Sequence, residues 1–326
     1  MYIDVKIMNH VPQISLEKHL IENQFIIPSN AIYGGTSGYQ DYGINGFAVK
    51  QNILCVWRRH FINENIREVD TSILTPYKVL EASGHVSNFT DPIIFNSKLN
   101  KEYRADHIIK QHLEKQNKDS SVVDKMTIKE MEQYAKDNLT NELNMIPNEI
   151  NVTTKNLMFQ SGDSFLRPEI AQGMFINFKK YYDYFKKLPF GIAQVGKSFR
   201  REISPVPFTR MREFTQAEIE YFFDPNIQTY EEYNDYKDST YLLPILSQSA
   251  QMTNNKVDNY TLKTLVETNI VCNEIMGVFM VKIYEFCEMI GLNLEKIRFR
   301  QHLKNEMAHY AGDCWDLECF VNGSWL

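Results

Sequence analysis

The feature that most constrains this chain is the stretch at 188–225, where two runs of alternating residues flank a Ser-Pro-Val-Pro segment. The runs, at 192–203 and 211–222, are typical of strands, and the two prolines prevent a strand ladder from continuing between them. A strand places every second side chain on one face. Antiparallel pairing would therefore bring one polar series onto one face, namely Arg200, Glu202, Arg210, Arg212, Phe214, Gln216, Glu218 and Glu220.

This series of groups has a chemical use. Guanidinium groups bind and orient phosphates, an aromatic ring stacks on a purine, and buried carboxylates can hold an ammonium group. The order, with arginines near the turn and carboxylates farther along, suits a nucleoside triphosphate that lies beside an amino acid. The alternative is a solvated hairpin whose opposite charges only pair across the strands. The hairpin alone leaves both interpretations open.

The hairpin resembles motif 2 of class II aminoacyl-tRNA synthetases through the strings FRRE at 199–202 and RMREF at 210–214. The continuation FTQAEIEYFFDP and the upstream string LRPEIAQGMF are similar to glycyl-tRNA synthetases of the eukaryotic and archaeal branch. The amphipathic segment at 48–63 predicts a helix, and together with a following strand that ends at Pro76 it resembles motif 1. The resemblance covers nearly the whole chain.

The resemblance implies an α+β fold with a mainly antiparallel sheet of the class II synthetase type, flanked by helices and carrying helical insertions. It also implies the activity of a glycine-tRNA ligase, which activates glycine with ATP and Mg²⁺ to glycyl-adenylate and transfers the glycine to tRNA-Gly. In this class motif 1 builds a dimer interface, so a homodimer is expected. The alternative function is a non-catalytic, synthetase-like paralogue that binds ATP, RNA or a protein partner.

The resemblance assigns ATP-binding roles to five residues of motif 2. Arg200, the expected catalytic residue, would contact the α-phosphate and the glycine carboxylate. Glu202 would accept a hydrogen bond from the adenine amino group, and Phe214 would stack on adenine. Either Arg210 or Arg212 would bind the terminal phosphates, and the loop composition leaves that choice open.

Glycine binding is assigned by the same resemblance to Arg167, Glu169 and Glu218. The two carboxylates would hold the glycine ammonium group, while Glu220 either binds magnesium or is structural. Arg167 and Glu169 flank Pro168, which is expected to occupy the first turn of a helix. The sequence therefore predicts that these groups lie at the mouth of that helix.

A second phosphate-binding pattern is present in GIAQVGKS at 191–198, which fits the P-loop consensus G-x-x-x-x-G-K-[ST]. A P-loop lies between a strand and a helix. Here the interior residues are strand-like, and FRREISP follows, which is also strand-like and ends in proline. We therefore favour a structural role for this pattern and keep an unrelated P-loop enzyme only as a remote alternative.

The chain divides into five expected segments. A first part of the catalytic core with motif 1 spans 1–95, and a charged helical insertion spans 96–152. The core with motif 2 follows at 153–225, then a second helical insertion at 226–296, and a return to the core at 297–326. In the resembled family, motif 3 and an anticodon-binding domain come later, so we expect this chain to cover only the front part of such an enzyme.

Overall charge does not identify a partner, because a net charge of -6 requires any RNA contact to use a local basic patch. The five cysteines are scattered and odd in number, which favours reduced thiols in the cytoplasm. No apolar run approaches membrane-spanning length, so no membrane association is expected.

Overall fold

The N-terminal part of the protein contains one long helix, with short helices and strands before and after it along the chain. The computed structural model describes residues 13–227, 229–307, 311–321 and 323–326. The first elements are α1 (Gln13–Glu22), β1 (Ile26–Pro28), β2 (Gln40–Tyr42), α2 (Ile44–Phe61), β3 (Ile66–Glu68), β4 (Leu74–Pro76), α3 (Tyr77–Ala82), α4 (His85–Asn88) and β5 (Thr90–Asn96). The predicted helix at 48–63 is present, but it begins at Ile44 because Gly43 provides the extended residue before it.

The first predicted insertion has a hydrophobic core of its own. Buried side chains such as Ile109, Val123 and Leu139 form one cluster within it, and a Thr127–Glu130 capping box starts its longest later helix. Its elements are β6 (Lys101–Arg104), α5 (Ala105–Lys115), α6 (Ile128–Asn138) and α7 (Thr140–Leu143), and β7 (Val152–Asn156) follows at its end. Strand β5 pairs with both β6 and β7, which attaches the insertion to the preceding segment.

The middle of the chain contains the predicted hairpin. Its elements are β8 (Phe159–Ser161), β9 (Ser164–Leu166), α8 (Ala171–Phe175), α9 (Phe178–Phe185), β10 (Phe190–Phe199) and β11 (Glu213–Phe222). Strands β10 and β11 pair antiparallel over all ten residues, and β3 adds to β10 in parallel. Strand β4 pairs instead with β9, so the strand predicted to end at Pro76 is in fact two strands in different sheets.

The prediction of one helix that begins at Pro168 is wrong in both the first residue and the length of the helix. Helix α8 begins at Ala171 and is followed by the separate helix α9. Between them, the side-chain amide of Asn177 donates a hydrogen bond of 2.9 Å to the carbonyl oxygen of Gly173. A side chain that bonds the backbone four residues earlier competes with continuous helix, which accounts for the interruption.

The last part of the described chain forms a five-stranded sheet covered by a helix. Its elements are α10 (Tyr233–Tyr236), β12 (Leu243–Leu246), α11 (Gln248–Thr253), β13 (Asp258–Tyr260), α12 (Leu262–Glu267), α13 (Glu274–Met289), β14 (Ile297–Gln301), β15 (Trp315–Val321) and β16 (Ser324–Trp325). The segment at 226–296, predicted to be helical, thus also contains two strands. Helix α13 packs its Val278 and Val281 against the sheet, in one core with Phe299.

The observed architecture confirms an α+β fold with mainly antiparallel sheets. Within the described ranges only two strand pairings are parallel, β3 with β10 and β12 with β14. No helix in those ranges combines the length and the apolar character needed to cross a membrane.

A methyl group at Gly46 is expected to destabilise the fold. Gly46 is buried in the first turns of α2, and a Cβ there would overlap with the backbone carbonyl oxygen of Phe25. We expect Gly46→Ala to lower the free energy of unfolding by about 2–3 kcal/mol, despite the better helix propensity of alanine. Urea denaturation measures this. Gly312→Ala is the matched control because nothing lies within 4 Å of its Cβ position, and an equal loss in both variants would contradict the prediction.

Candidate active site on the hairpin face

One face of the β10–β11 hairpin is polar and partly buried. In the observed register Gln194 lies opposite Glu218, Gly196 opposite Gln216, and Ser198 opposite Phe214. Side chains alternate along each strand, so these residues share one face with Glu220. We call this set the hairpin face, and it consists of Gln194, Gly196, Ser198, Phe214, Gln216, Glu218 and Glu220.

Arg167 is buried against the hairpin face. The residue is 4% exposed. Its Nε donates to the carbonyl oxygen of Lys197 at 2.8 Å, and its Nη1 donates to that of Thr71 at 2.9 Å. Burial lowers the pKa of Arg167, but an arginine stays charged. The third nitrogen, Nη2, lies over Gly196, where a Cβ would collide with it. The absence of a side chain at Gly196 therefore makes room for a buried positive charge.

Arg200 follows directly after β10 and packs on two aromatic rings. Its guanidinium carbon is 5.3 Å from the centre of the Phe214 ring and 5.4 Å from that of Phe89. Its Nε donates to the carbonyl oxygen of Pro168 at 3.1 Å. Arginine stacks well on aromatic faces, so these contacts hold the guanidinium group in one place beside Glu169.

The motif 2 strands are shorter than predicted, and four of the expected strand residues lie in the loop between them. Strand β10 ends at Phe199 because the next chain segment turns away, with the amide of Arg201 donating to the carbonyl oxygen of Leu157 at 2.6 Å. A separate bridge between Val206 and Arg210 closes a tight turn. The prediction that these four residues share one face of a strand is therefore wrong. They are Arg200, Glu202, Arg210 and Arg212.

The loop nevertheless brings Glu202 close to both later arginines. Arg210 Nε lies 3.9 Å from Glu202 Oε2, and Arg212 Nε donates to the backbone carbonyl oxygen of Glu202 at 3.1 Å. Burial raises the pKa of the Glu202 carboxyl, against the opposing effect of Arg210. The side chain of Arg210 is 41% exposed, whereas Arg212 also packs over the ring of Tyr39.

Three glutamates converge at the other end of the hairpin face. Glu218 Oε1 accepts a hydrogen bond of 2.7 Å from Gln216. Burial raises the pKa of Glu218 to about 7, and the negative charges of Glu169 and Glu220 add to the shift. Burial also raises the pKa of Glu220. A contact with His85 and a hydrogen bond from Gln172 lower the pKa of Glu169.

Several buried polar atoms near these glutamates have no hydrogen-bond partner among the described residues. They include Gln194 Nε2, Gln172 Oε1 and Glu218 Oε2. Buried polar groups in folded proteins are nearly always hydrogen-bonded, so this concentration indicates a place for a small polar ligand or ordered water. An adjoining cavity of about 470 Å³ is lined by Thr71, Arg167, Glu169 and Gln172.

Comparison with known proteins decides the family. The family model described as tRNA synthetase class II core domain (G, H, P, S and T) matches residues 159–271, which include both hairpin strands. Glycine–tRNA ligase 2 of Saccharomyces cerevisiae is 41% identical over 98% of this chain and 56% of its own length. Glycine–tRNA ligase of Methanococcus maripaludis strain C6 is 39% identical over 91% of this chain and 53% of its own length. By sequence, the chain belongs to the glycine–tRNA ligase family.

This member of the glycine–tRNA ligase family spans about half the length of the curated relatives it matches. Among solved structures, a prolyl-tRNA synthetase from Cryptosporidium parvum matches 68% of this chain and 33% of its own. That match has 15% sequence identity and a TM-score of 0.39.

The P-loop pattern in this family member has the structural role that its context predicts. Residues 191–198 lie inside strand β10, and a loop rather than a helix follows the strand. Lys197, the lysine of the pattern, alternates away from the hairpin face and pairs with Glu213 at 2.7 Å.

Sequence reasoning missed several residues at the site of this family member. Thr71 and Gly196 place Arg167, Gln194 adds an unpartnered buried amide, and His85 and Phe89 contact Glu169 and Arg200. His85 and Phe89 lie in the string SGHVSNF at 83–89, whose distance along the chain from the hairpin indicates no contact. For Gln194, the one local signal that could have been used is a polar glutamine among the apolar residues of a predicted strand.

Stability is expected to fall between pH 5 and pH 8 because of Glu218. Its pKa is about 7 in the folded protein and near 4.5 when exposed, so the folded state holds more protons in this window and loses stability as pH rises. After allowance for screening, we expect Glu218→Gln to remove about 1–2 kcal/mol of that loss. Urea unfolding at both pH values measures it. Glu213→Gln, on the exposed side of the same strand, should keep the wild-type slope, and an unchanged slope in Glu218→Gln would contradict the assignment.

Proposed function

We propose that this chain binds ATP and glycine on the hairpin face and joins them as glycyl-adenylate, with tRNA-Gly as the final acceptor, which is the activity of a glycine–tRNA ligase. One observation carries the proposal. A buried arginine, an arginine that packs on two aromatic rings and a cluster of carboxylates with one unpartnered oxygen converge there, in a chain 41% identical to a curated glycine–tRNA ligase.

The ATP half of the proposed site uses the loop end of the hairpin. Arg200 would stabilise the charge that develops on the α-phosphate, as a group already held in place. Glu202 would accept from the adenine amino group, and Phe214 would offer adenine the ring face that Arg200 leaves free. The exposed Arg210 is the better candidate for the terminal phosphates, because Arg212 is already hydrogen-bonded to the loop.

The glycine half uses the buried end. Glu169 and Glu218 would hold the ammonium group, whose positive charge favours ionised Glu218 at neutral pH. Arg167 supplies compensating charge beneath them. A glycine carboxylate oxygen would then form a bond to the α-phosphorus while the bond to pyrophosphate breaks, and the protein contributes mainly positioning and charge.

Magnesium would be held mainly by the phosphates of ATP. In the part of the chain that the structure describes, no group of three or more His, Cys, Asp or Glu side chains is arranged to hold a metal ion. Glu220 would supply one carboxylate ligand, since magnesium bound to substrate phosphates commonly takes one or two carboxylates from the protein. When bound, the ion would neutralise phosphate charge.

A homodimer through motif 1 is part of the proposal. Helix α2 exposes the apolar side chains of Ile44 and Phe47 on one side and of Val49 and Ile53 on another, and exposed apolar surface on a helix often lies in an interface. A second copy would cover it by twofold symmetry. Sedimentation equilibrium should give twice the chain mass, and a monomer at micromolar concentration would refute this part.

The proposed compartment is the cytoplasm, and the proposed units are those expected from the sequence. The five cysteines lie in described ranges and are free, which supports a reducing environment. The separate core of the first insertion supports its treatment as a unit.

Glycine-dependent exchange of pyrophosphate into ATP tests the proposed function. We expect exchange by the 326-residue chain with glycine and little or none with alanine or serine. ATP binding without glycine-dependent exchange would refute the activity and indicate a non-catalytic paralogue. Exchange that is equal with all three amino acids would refute the proposed substrate.

A further inference from the structure

The short helix α4 and the residue after it contact both halves of the proposed site. His85 begins the helix and Phe89 follows it, so that their side chains lie four residues apart on one side. Their ring centres are 5.6 Å apart. The side-chain amide of Asn156 donates to the carbonyl oxygens of His85 and Val86, at 3.2 and 3.1 Å, and so anchors the helix.

His85 faces the glycine half. Its Nε2 lies 3.4 Å from Glu169 Oε1, and its side chain is 14% exposed. The other ring nitrogen, Nδ1, lies 2.9 Å from the hydroxyl oxygen of Ser83. Because a carboxylate only accepts hydrogen bonds, this contact favours the ring form that carries its proton on Nε2. His85 and Gln172 thus contact the same oxygen of Glu169.

Phe89 faces the ATP half. The guanidinium group of Arg200 lies over its ring at 5.4 Å from the ring centre, and over the Phe214 ring at 5.3 Å. Arg200 also donates to the carbonyl oxygen of Pro168, the residue before Glu169. Contacts therefore run from Glu169 through His85 and Phe89 to Arg200, and they return along the backbone at Pro168.

We propose that His85 and Phe89 are positioning residues, with His85 setting the Glu169 carboxylate for the amino acid and Phe89 setting the Arg200 guanidinium for the phosphate. This inference rests on the proposed roles of Glu169 and Arg200. The two residues touch no reacting atom. Because one anchored helix carries both, it fixes the distance between the ammonium and phosphate positions.

A titration of Glu169 tests the His85 contact without requiring turnover. The carboxyl ¹³C signal of Glu169 is followed against pH in the wild type, His85→Ala and His85→Gln. The other groups that face Glu169 are Gln172, Arg200, Glu218 and Glu220, and they are unchanged in all three proteins. We expect the Glu169 pKa to rise in His85→Ala and to return toward the wild-type value in His85→Gln, which supplies a neutral N–H. An unchanged pKa in His85→Ala overturns the proposal.

His112→Ala is the matched control. His112 lies 3.1 Å from Glu142 in the first insertion, with the same 14% side-chain exposure as His85. Its removal should leave the Glu169 titration as in the wild type. A shift of equal size would show that the response reports general loosening, and it would overturn the proposal.

Steady-state kinetics then separate the role of His85 in the glycine half from that of Phe89 in the ATP half. We expect His85→Ala to raise KM for glycine about tenfold with little change for ATP. Phe89→Leu, which keeps the apolar volume but loses the ring face, should raise KM for ATP about three- to tenfold. Equal rises in the KM for glycine and the KM for ATP in both variants overturn the assignment of His85 to the glycine half and Phe89 to the ATP half. If the wild type shows no exchange, the proposed function fails for this chain, whereas the Glu169 titration still decides the His85 contact.

Discussion

Arg200→Ala is expected to lower the rate of glycine-dependent pyrophosphate exchange by about 100-fold or more. The wild-type guanidinium is held by packing on Phe89 and Phe214 and by a hydrogen bond to the carbonyl oxygen of Pro168, so it needs no reorganisation when charge develops on the α-phosphate. Loss of one such preorganised group typically costs 10²- to 10³-fold in rate. Arg200→Lys should recover only part of the activity, because lysine lacks the planar fork. The measurement is the exchange rate at saturating ATP and glycine.

Lys197→Ala is the control that distinguishes this site from a P-loop. Lys197 lies three residues before Arg200, but it points to the other face of β10 and pairs with Glu213. It should retain most of the exchange activity. Loss of activity in Lys197→Ala, with activity kept in Arg200→Ala, would show that the phosphates bind elsewhere.

A single methyl group at Gly196 is expected to reduce the same exchange rate by about 100-fold. The Cβ of Gly196→Ala would collide with Nη2 of Arg167. That side chain is buried and is tied to Thr71 and Lys197 by hydrogen bonds, so it cannot move aside without breaking one of them. Displacement of a binding group by about 1 Å can cost 10²-fold in rate.

Circular dichroism and the glycine KM accompany this measurement. The variant should keep the wild-type spectrum, while the KM for glycine rises more than the KM for ATP, because Arg167 lies at the glycine end. Gly312→Ala again provides the matched glycine-to-alanine control, since it has free space around it. Wild-type exchange in Gly196→Ala would show that the position of Arg167 is unimportant for the reaction.

The hairpin and its facing polar groups could be predicted from the sequence because their signals are local. Two alternating runs and two prolines predict two strands and a break. The residues deeper in the hairpin, from Phe214 to Glu220, share a face in the structure as expected. Helix α2 was predictable for the same reason, since its apolar residues recur at helical spacing.

The ends of these elements depend on distant partners and could not be predicted. The alternation after Phe199 continues in the sequence, but Arg201 bonds to Leu157, so the strand stops. Helix α8 starts late, and a side chain from Asn177 separates it from α9. Elements of this kind are set by tertiary contacts rather than by local propensity.

The supporting residues of the site were hidden for a related reason. Nothing near His85 or Thr71 in the sequence indicates that they contact Glu169 and Arg167. Gly196 fits a P-loop pattern, yet its role is to leave space for a buried arginine. Residue roles that depend on what is absent, such as a missing Cβ, become visible only in three dimensions.

Whether the chain builds an adenylation site for glycine is tested most directly by its affinity for a non-hydrolysable glycyl-adenylate analogue. Isothermal titration calorimetry compares the affinity of the 326-residue chain for this analogue with its affinity for the alanyl counterpart. Such analogues engage both halves of an adenylation site and bind more tightly than the substrates. We expect one glycyl analogue bound per chain, at least about tenfold tighter than the alanyl analogue, with binding strongly weakened in Arg200→Ala. Absence of binding, or equal affinity for the two analogues, would contradict this expectation.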